Sequence, residues 1–222
     1  EANAAGGYGS FAEFTTVDAG QLAPKPDRID AVTAAALPLT ATSAYQALVD
    51  HMHVQSGQKV LIHGGAGGIG SMAIQIAKHL GAHVATTATE ADTDFVKGLG
   101  ADEVIDYKTQ DFSQLTQGYD AVFDTVGGET NTKSYQVLKQ GGILVSMVQE
   151  PDDTLVEKHG ITYVYQSTHA TTARLNAISE LVDSGILKVH ADKVFPFAEA
   201  AEALEYVKTG HPRGKVVIQI KP

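Results

Sequence analysis

Residues 60–82 read VLIHGGAGGIGSMAIQIAKHLGA, with five glycines in seven positions between an apolar run and an amphipathic one. Glycine loses more conformational entropy on folding than any other residue, so such a cluster needs a compensating role. Gly65-Ala66-Gly67-Gly68-Ile69-Gly70 fits G-x-G-x-x-G, and between a strand and a helix that spacing suits the binding of a diphosphate. The first glycine permits a tight turn, the second lets phosphates approach the backbone, and the third lets the helix pack close on the strand. The helix N-terminus adds unpaired N–H groups and the positive end of its dipole. A turn serving packing alone has no need to open a helix with its donors free. The chemistry implied is dinucleotide binding.

The next residues to weigh are those that choose the nucleotide. A carboxylate at the end of the second strand binds a ribose 2′-hydroxyl and repels a 2′-phosphate. Here that strand runs out in Thr86-Thr87-Ala88-Thr89, and hydroxyls tolerate a phosphate. Glu90 lies about 20 residues beyond the glycines, where an acid is expected, but in the turn past the strand. NADPH is the expected cofactor, with NADH as the alternative.

The elements that must position these residues follow from periodicity. Strands are predicted at residues 59–63 (KVLIH), 83–87 (HVATT), 103–106 (EVID), 121–124 (AVFD), 143–147 (ILVSM) and 161–165 (ITYVY). Helices are predicted between most of them, at 69–80, 92–99 and 130–138; in the first, Ile69, Met72, Ala73, Ile76 and Leu80 recur at helical spacing. Gly81, Gly100 and Gly141 stand where a left-handed residue closes a helix. Alternating strands and helices imply right-handed crossovers and a parallel sheet. Further helices are expected at 40–51, 173–184 and 198–208, and strands at 8–16 and 215–220, with a proline-bearing linker at 22–30 (LAPKPDRID).

Composition excludes several classes. Lys+Arg 16 against Asp+Glu 26 gives a formal net charge of -10, which argues against nucleic-acid binding driven by global charge. There is no cysteine, so disulfides, thiolate metal sites and a cysteine nucleophile are ruled out. No apolar run has the length of a bilayer span, and no partnership with a membrane is expected. The expected location is cytoplasmic. The first residue is Glu1, and residues 1–14 (EANAAGGYGSFAEF) read as though the chain begins in mid-strand, so a longer protein is expected.

LPLTATSAYQAL, HGGAGGIGSMAIQIAKHLGA, LGADEVIDY, FDTVGG, LKQGGILVSM and the closing GKVVI together resemble the quinone oxidoreductase branch of the medium-chain dehydrogenase/reductase superfamily. The resemblance spans residues 7–220. It implies an α/β fold, a doubly wound (Rossmann) parallel sheet with remnants of a GroES-like β domain. The implied division is 1–38 for a remnant of the catalytic domain and linker, 39–187 for the nucleotide-binding domain, and 188–222 for a return to the catalytic domain. Zinc-dependent members place a cysteine ligand four residues before the turn that is Ser43-Ala44-Tyr45 here; that position is Leu39, which cannot bind zinc. No metal is expected.

Carried over residue by residue, the resemblance assigns Gly65, Gly67, Gly68, Ile69 and Gly70 to the pyrophosphate turn. Thr87 matches the aspartate of NAD-specific relatives, and Tyr107 a residue near the adenosine. Val126 and Gly127 lie where the cofactor crosses the sheet, and Ser146 and Met147 meet the nicotinamide. Arg213 and Lys215 are assigned to the cofactor phosphates, the alternative being two surface charges. NADPH-binding relatives often carry a lysine where this chain has Asp92.

The function implied is zinc-independent hydride transfer from NADPH to a quinone or α,β-unsaturated carbonyl, a small-molecule substrate. Tyr45 is the candidate to line the nicotinamide pocket, with Tyr163 and Tyr165 beside it. Two alternatives stand: a nucleotide-binding module without catalysis, and a short-chain dehydrogenase, for which Tyr135-Gln-Val-Leu-Lys139 spells Y-x-x-x-K. A homodimer joined through the edge strand 161–165 is expected, because an open apolar edge is otherwise a liability.

Overall fold

A computed structural model describes residues 9–115 and 117–221. In chain order the regular elements are α1 (Ala31–Ala35), α2 (Pro38–Tyr45), a π-helical turn (Gln46–His51), β1 (Lys59–Ile62), α3 (Gly68–His79), β2 (His83–Ala88), α4 (Thr93–Gly98), β3 (Glu103–Asp106), α5 (Phe112–Leu115), β4 (Tyr119–Asp124), α6 (Glu129–Val137), β5 (Leu138–Ser146), α7 (Asp153–His159), β6 (Thr162–Tyr165), α8 (Thr172–Asp183), β7 (Ala191–Pro196), α9 (Ala200–Thr209) and β8 (Lys215–Gln219). They fall into two compact units, Ala44–Ser167 and a second made of Glu1–Ser43 with Thr168–Pro222.

The Ala44–Ser167 unit is one six-stranded sheet in the order β3-β2-β1-β4-β5-β6. Every neighbouring pair is parallel, as the strand–helix alternation requires. Val60, Leu61 and Ile62 in central β1 are fully buried, which is why the strand is a continuous apolar run rather than an alternating one. Each such side chain contributes about 2 kcal/mol relative to exposure. Leu61, Val122, Leu144 and Tyr135 share one core cluster with Phe112 and Ile161. The connections reverse between β1 and β4, the point where open sheets of this order bind ligands at their carboxyl ends.

In the second unit, β7 and β8 form a parallel pair crossed over by α9. Phe195 and Ala203 are buried between them, and the Tyr206 hydroxyl donates to Asp192 Oδ2 at 2.7 Å. The linker lies along α8: Thr172 Oγ1 donates to Leu22 O at 2.7 Å, and the Arg28 N–H to Asp183 Oδ1 at 3.1 Å.

The structure departs from the sequence expectations at several places. Tyr8, which opens the strand expected at 8–16, lies outside the described residues, and residues 9–16 form bends and coil instead of a strand. The helix expected at 40–51 changes at Gln46 from α to π geometry, a winding commonly found as a single turn. β5 starts at Leu138, five residues early, because Gly141 at φ 78° and a register shift between Tyr119 and Ala121 let its first residues pair. α7 was not anticipated, although its signals are present: Asp152 caps the N–H groups of Thr154 and Leu155, and Gly160 closes it at φ 61°. β7 was also unanticipated, since Lys193 and a terminal Pro196 disguise its alternation.

Candidate functional site

The turn after β1 is built so that only glycine fits at two of its positions. A Cβ on Gly65 would lie 2.2 Å from Thr86 Oγ1, and one on Gly70 would lie 2.1 Å from Gly64 O and 2.8 Å from Gly65 Cα. The last glycine of the motif therefore packs α3 against the turn itself. Gly67 differs: a Cβ there would meet only Gly64 O, at 3.3 Å. Gly67 is also the N-cap of α3, without a side-chain cap, which leaves the first-turn amides of Gly68, Ile69 and Gly70 presented to a ligand. This cradle fits a diphosphate, which needs backbone donors and room at that position.

Beside the turn, at the exits of β1 to β4, lies a cavity of about 560 Å³ lined in part by Gly64, Thr87, Tyr107, Lys108, Val126 and Lys133. Three residues proposed from sequence, Thr87, Tyr107 and Val126, thus converge on it. Tyr107 and Val126 are exposed, while Thr87 is buried.

Thr87 is engaged rather than free. Its Oγ1 accepts the Gly64 N–H at 3.1 Å and lies 3.2 Å from His63 Nδ1. His63 Nε2 lies 3.0 Å from Ser134 Oγ, whose own proton goes to Thr130 O at 2.7 Å. Ser134 must therefore accept from Nε2–H, which leaves Nδ1 to accept the Thr87 hydroxyl. Direction is set along the whole chain from Gly64 to Thr130. Full burial pushes the His63 pKa down to about 4, opposed by the negative charge of Asp124, so the neutral imidazole is the form that fits.

Asp124, at the end of β4, organises the opposite wall. It is fully buried. Its Oδ1 accepts the N–H groups of Val126 and Gly127, both at 2.9 Å. Its Oδ2 accepts from Asn131 Nδ2 at 2.8 Å and Ser146 Oγ at 3.0 Å. Four donors are the compensation a buried carboxylate requires. The Met147 N–H donates to the Asp124 carbonyl at 3.1 Å. Val126, Gly127 and Ser146 are thus gathered around the Asp124 carboxylate and Met147 is held by the Asp124 carbonyl, and Gly127 at φ 78° makes the turn possible. Neither Asp124 nor His63 was singled out from sequence. The available signal was a polar residue ending each of two apolar strands.

Other expected residues lie elsewhere. Tyr45 ends α2, half-buried, and does not line the cavity. Tyr163 donates to Gln149 O at 2.7 Å, accepts from Asn131 Nδ2 at 2.9 Å, and stacks on Tyr135 with centroids 5.7 Å apart; burial raises its pKa to about 12. Tyr165 is exposed on β6. Neither tyrosine lines the cavity. Arg213 and Lys215 belong to the second unit, where the Arg213 N–H donates to Asp192 Oδ1 and Lys215 opens β8. The Y-x-x-x-K pair of the short-chain alternative is split: Tyr135 is buried in α6 and accepts the Asp152 N–H, whereas Lys139 sits on β5 and pairs with Asp120.

Among the described residues no helix is long and apolar enough to cross a membrane, and no group of three His, Asp or Glu side chains is placed to hold a metal ion. Residues 99–218 match the family model described as zinc-binding dehydrogenase. The chain is 37% identical over 215 residues to an Arabidopsis thaliana protein named NADPH-dependent alkenal/one oxidoreductase, chloroplastic, covering 95% of this chain and 53% of that one. The quinone oxidoreductase from Coxiella burnetii superposes with a TM-score of 0.83 at 34% identity, over 89% of this chain and 63% of that chain. A mycobacterial protein complexed with NADPH superposes with a TM-score of 0.87 at 28% identity, over 95% and 71%. The chain spans about half the length of the curated relatives it matches. A doubly wound sheet in this strand order, a glycine turn opening α3 and these matches together place the chain in the zinc-binding dehydrogenase family of the medium-chain dehydrogenase/reductase superfamily.

Proposed function

We propose that this chain carries the nucleotide-binding part of an NADPH-dependent, zinc-independent oxidoreductase acting on α,β-unsaturated carbonyls or quinones. One observation carries the reading: a turn sterically restricted to glycine opens the N-terminus of α3 at the switch point, next to a 560 Å³ cavity. NADPH is favoured over NADH by the absence of an acid among the residues that end β2 and by the names of the relatives. Zinc independence is supported by Leu39, which offers no lone pair where zinc-dependent relatives have a cysteine.

When bound, the nicotinamide supplies hydride to the substrate, and the protein supplies binding and orientation. The amides of Gly68, Ile69 and Gly70 and the α3 dipole hold the pyrophosphate. Thr87 and neutral His63 pin the turn by fixing the Gly64 N–H. Tyr107 walls the adenosine side, and Val126 stands at the exit of β4 where the cofactor crosses the sheet. Gly127, Ser146 and Met147, set by Asp124, present backbone groups to the nicotinamide at the exits of β4 and β5. Tyr45 is kept as a nicotinamide-pocket residue and no proton donor is assigned. The division at residues 38 and 187, a homodimer through β6 and a cytoplasmic location belong to the same proposal; cell fractionation tests the last.

The second reading, a nucleotide-binding module without turnover, is favoured by the absence of the candidate tyrosines Tyr45, Tyr163 and Tyr165 from the cavity lining. Fluorescence titration with NADPH and NADH, followed by assay of a simple enone and a simple quinone, separates the two. Binding of NADPH with turnover supports the enzyme, and binding without turnover supports the module. Tighter binding of NADH refutes the cofactor assignment, and failure to bind either nucleotide refutes both readings.

A further inference from the structure

The cavity at the strand exits is lined by two lysines in different electrostatic situations. Lys133 lies 2.8 Å from Asp111 and 2.9 Å from Glu129, so its charge is already answered by two carboxylates. Lys108 is exposed, and among the described residues no carboxylate pairs with its ammonium.

The backbone that carries Lys108 is held firmly. Asp106, the last residue of β3, accepts the Lys108 N–H on Oδ1 at 3.1 Å and the Thr109 hydroxyl on Oδ2 at 2.8 Å. Its carbonyl accepts the N–H groups of Thr109 and Gln110 at 3.1 and 2.8 Å, and its own N–H donates to Gln110 Oε1 at 3.0 Å. The base of this loop is tied to β2: Ala88 is in register with Asp106, and the Tyr107 N–H donates to Ala88 O at 3.3 Å. Lys108 therefore leaves the sheet on the strand exit adjacent to that of β2. The acids that follow β2 do not line the cavity, and Asp92 accepts the Thr89 hydroxyl at 2.6 Å.

We propose that Lys108 is the cation that recognises the ribose 2′-phosphate, and is thereby the residue that sets preference for NADPH over NADH. The assignment rests on the nucleotide-binding reading above, which puts the adenosine ribose at the exit of β2. A phosphate there gains a charge-assisted hydrogen bond from a free ammonium, whereas the hydroxyl of NADH gains nothing comparable. Lys133 contributes less, because a phosphate must compete with Asp111 and Glu129 for it.

The test compares the wild-type chain with Lys108→Ala and Lys108→Arg. NADPH and NADH are titrated by nucleotide fluorescence, and 2′,5′-ADP and 5′-AMP are used to displace them. Lys108 is exposed on a loop, so the variants keep the fold, which circular dichroism verifies. Lys108→Ala is expected to weaken NADPH and 2′,5′-ADP about tenfold, equivalent to about 1.4 kcal/mol, while NADH and 5′-AMP are unaffected. Lys108→Arg is expected to retain most of the NADPH affinity. Equal losses for both nucleotides, or no loss for NADPH, overturn the assignment and leave the nucleotide site standing. A wild-type chain that binds neither nucleotide overturns the assignment together with the reading beneath it.

Discussion

Replacing Gly65 with alanine places a methyl carbon 2.2 Å from Thr86 Oγ1, 3.0 Å from Thr86 Cγ2 and 3.1 Å from Ile74 Cδ1. Ordinary carbon contacts are about 3.5 Å or more, so roughly 1 Å of displacement is needed. Thr86 is fully buried, and its hydroxyl donates to Ile62 O at 2.7 Å. Moving it breaks that bond. Overpacking costs about 1–3 kcal/mol and a lost buried hydrogen bond about 1 kcal/mol, so Gly65→Ala is expected to cost about 3 kcal/mol. Thr86→Ala alone forfeits the hydroxyl and a methyl, about 2 kcal/mol, but removes the two closest atoms and leaves Ile74 Cδ1 at 3.1 Å, the far end of a side chain that a few tenths of an ångström relieve. The double variant should therefore cost about 2 kcal/mol rather than the sum of about 5, a coupling of about 3 kcal/mol. Gly70→Ala admits no such rescue, because its clash is with the backbone of Gly64 and Gly65. Urea unfolding followed by circular dichroism, run on all four members of the cycle, measures the coupling. Additive losses would show that the turn does not touch Thr86 as described.

Two further outcomes follow from the same structure. The folded state binds a proton on His63 less tightly than the unfolded chain, about 4 against 6.5; stability is therefore full above pH 6.5 and falls as pH drops from 6.5 towards 4, by about 3 kcal/mol in total. His63→Gln should flatten that window in urea midpoints taken at pH 7 and pH 4.5, and parallel losses in both proteins contradict the burial argument. For the proposed homodimer, β6 pairs only with β5 among the described residues, so light scattering should give twice the 23.4 kDa of one chain; a monomeric mass removes the β6 interface.

The β1–α3 turn and the strands at 59, 83 and 103 were legible because their signals are local: apolar runs, a 3.6-residue period, and glycines where the backbone admits nothing else. Tyr107 and Val126 were found by resemblance, and the structure brings both to one cavity with Thr87. The role of Thr87 was not legible, since its hydroxyl serves Gly64 and His63, 23 and 24 residues away. Asp124 escaped notice for the same reason, as its donors come from α6 and β5 as well as from its own turn. β7 and the π-helical turn were hidden, because pairing with β8 and a change of helical winding leave no periodic mark.

By itself, then, the sequence determined the six strands of the sheet, the helix after the first of them and where a diphosphate turn stands, because steric limits on each residue act locally. Only the tertiary structure decided which hydroxyls are spent, which lysine is free and which carboxylate gathers the loops. Those outcomes depend on groups far apart in the chain competing for the same donors and acceptors once water has been excluded.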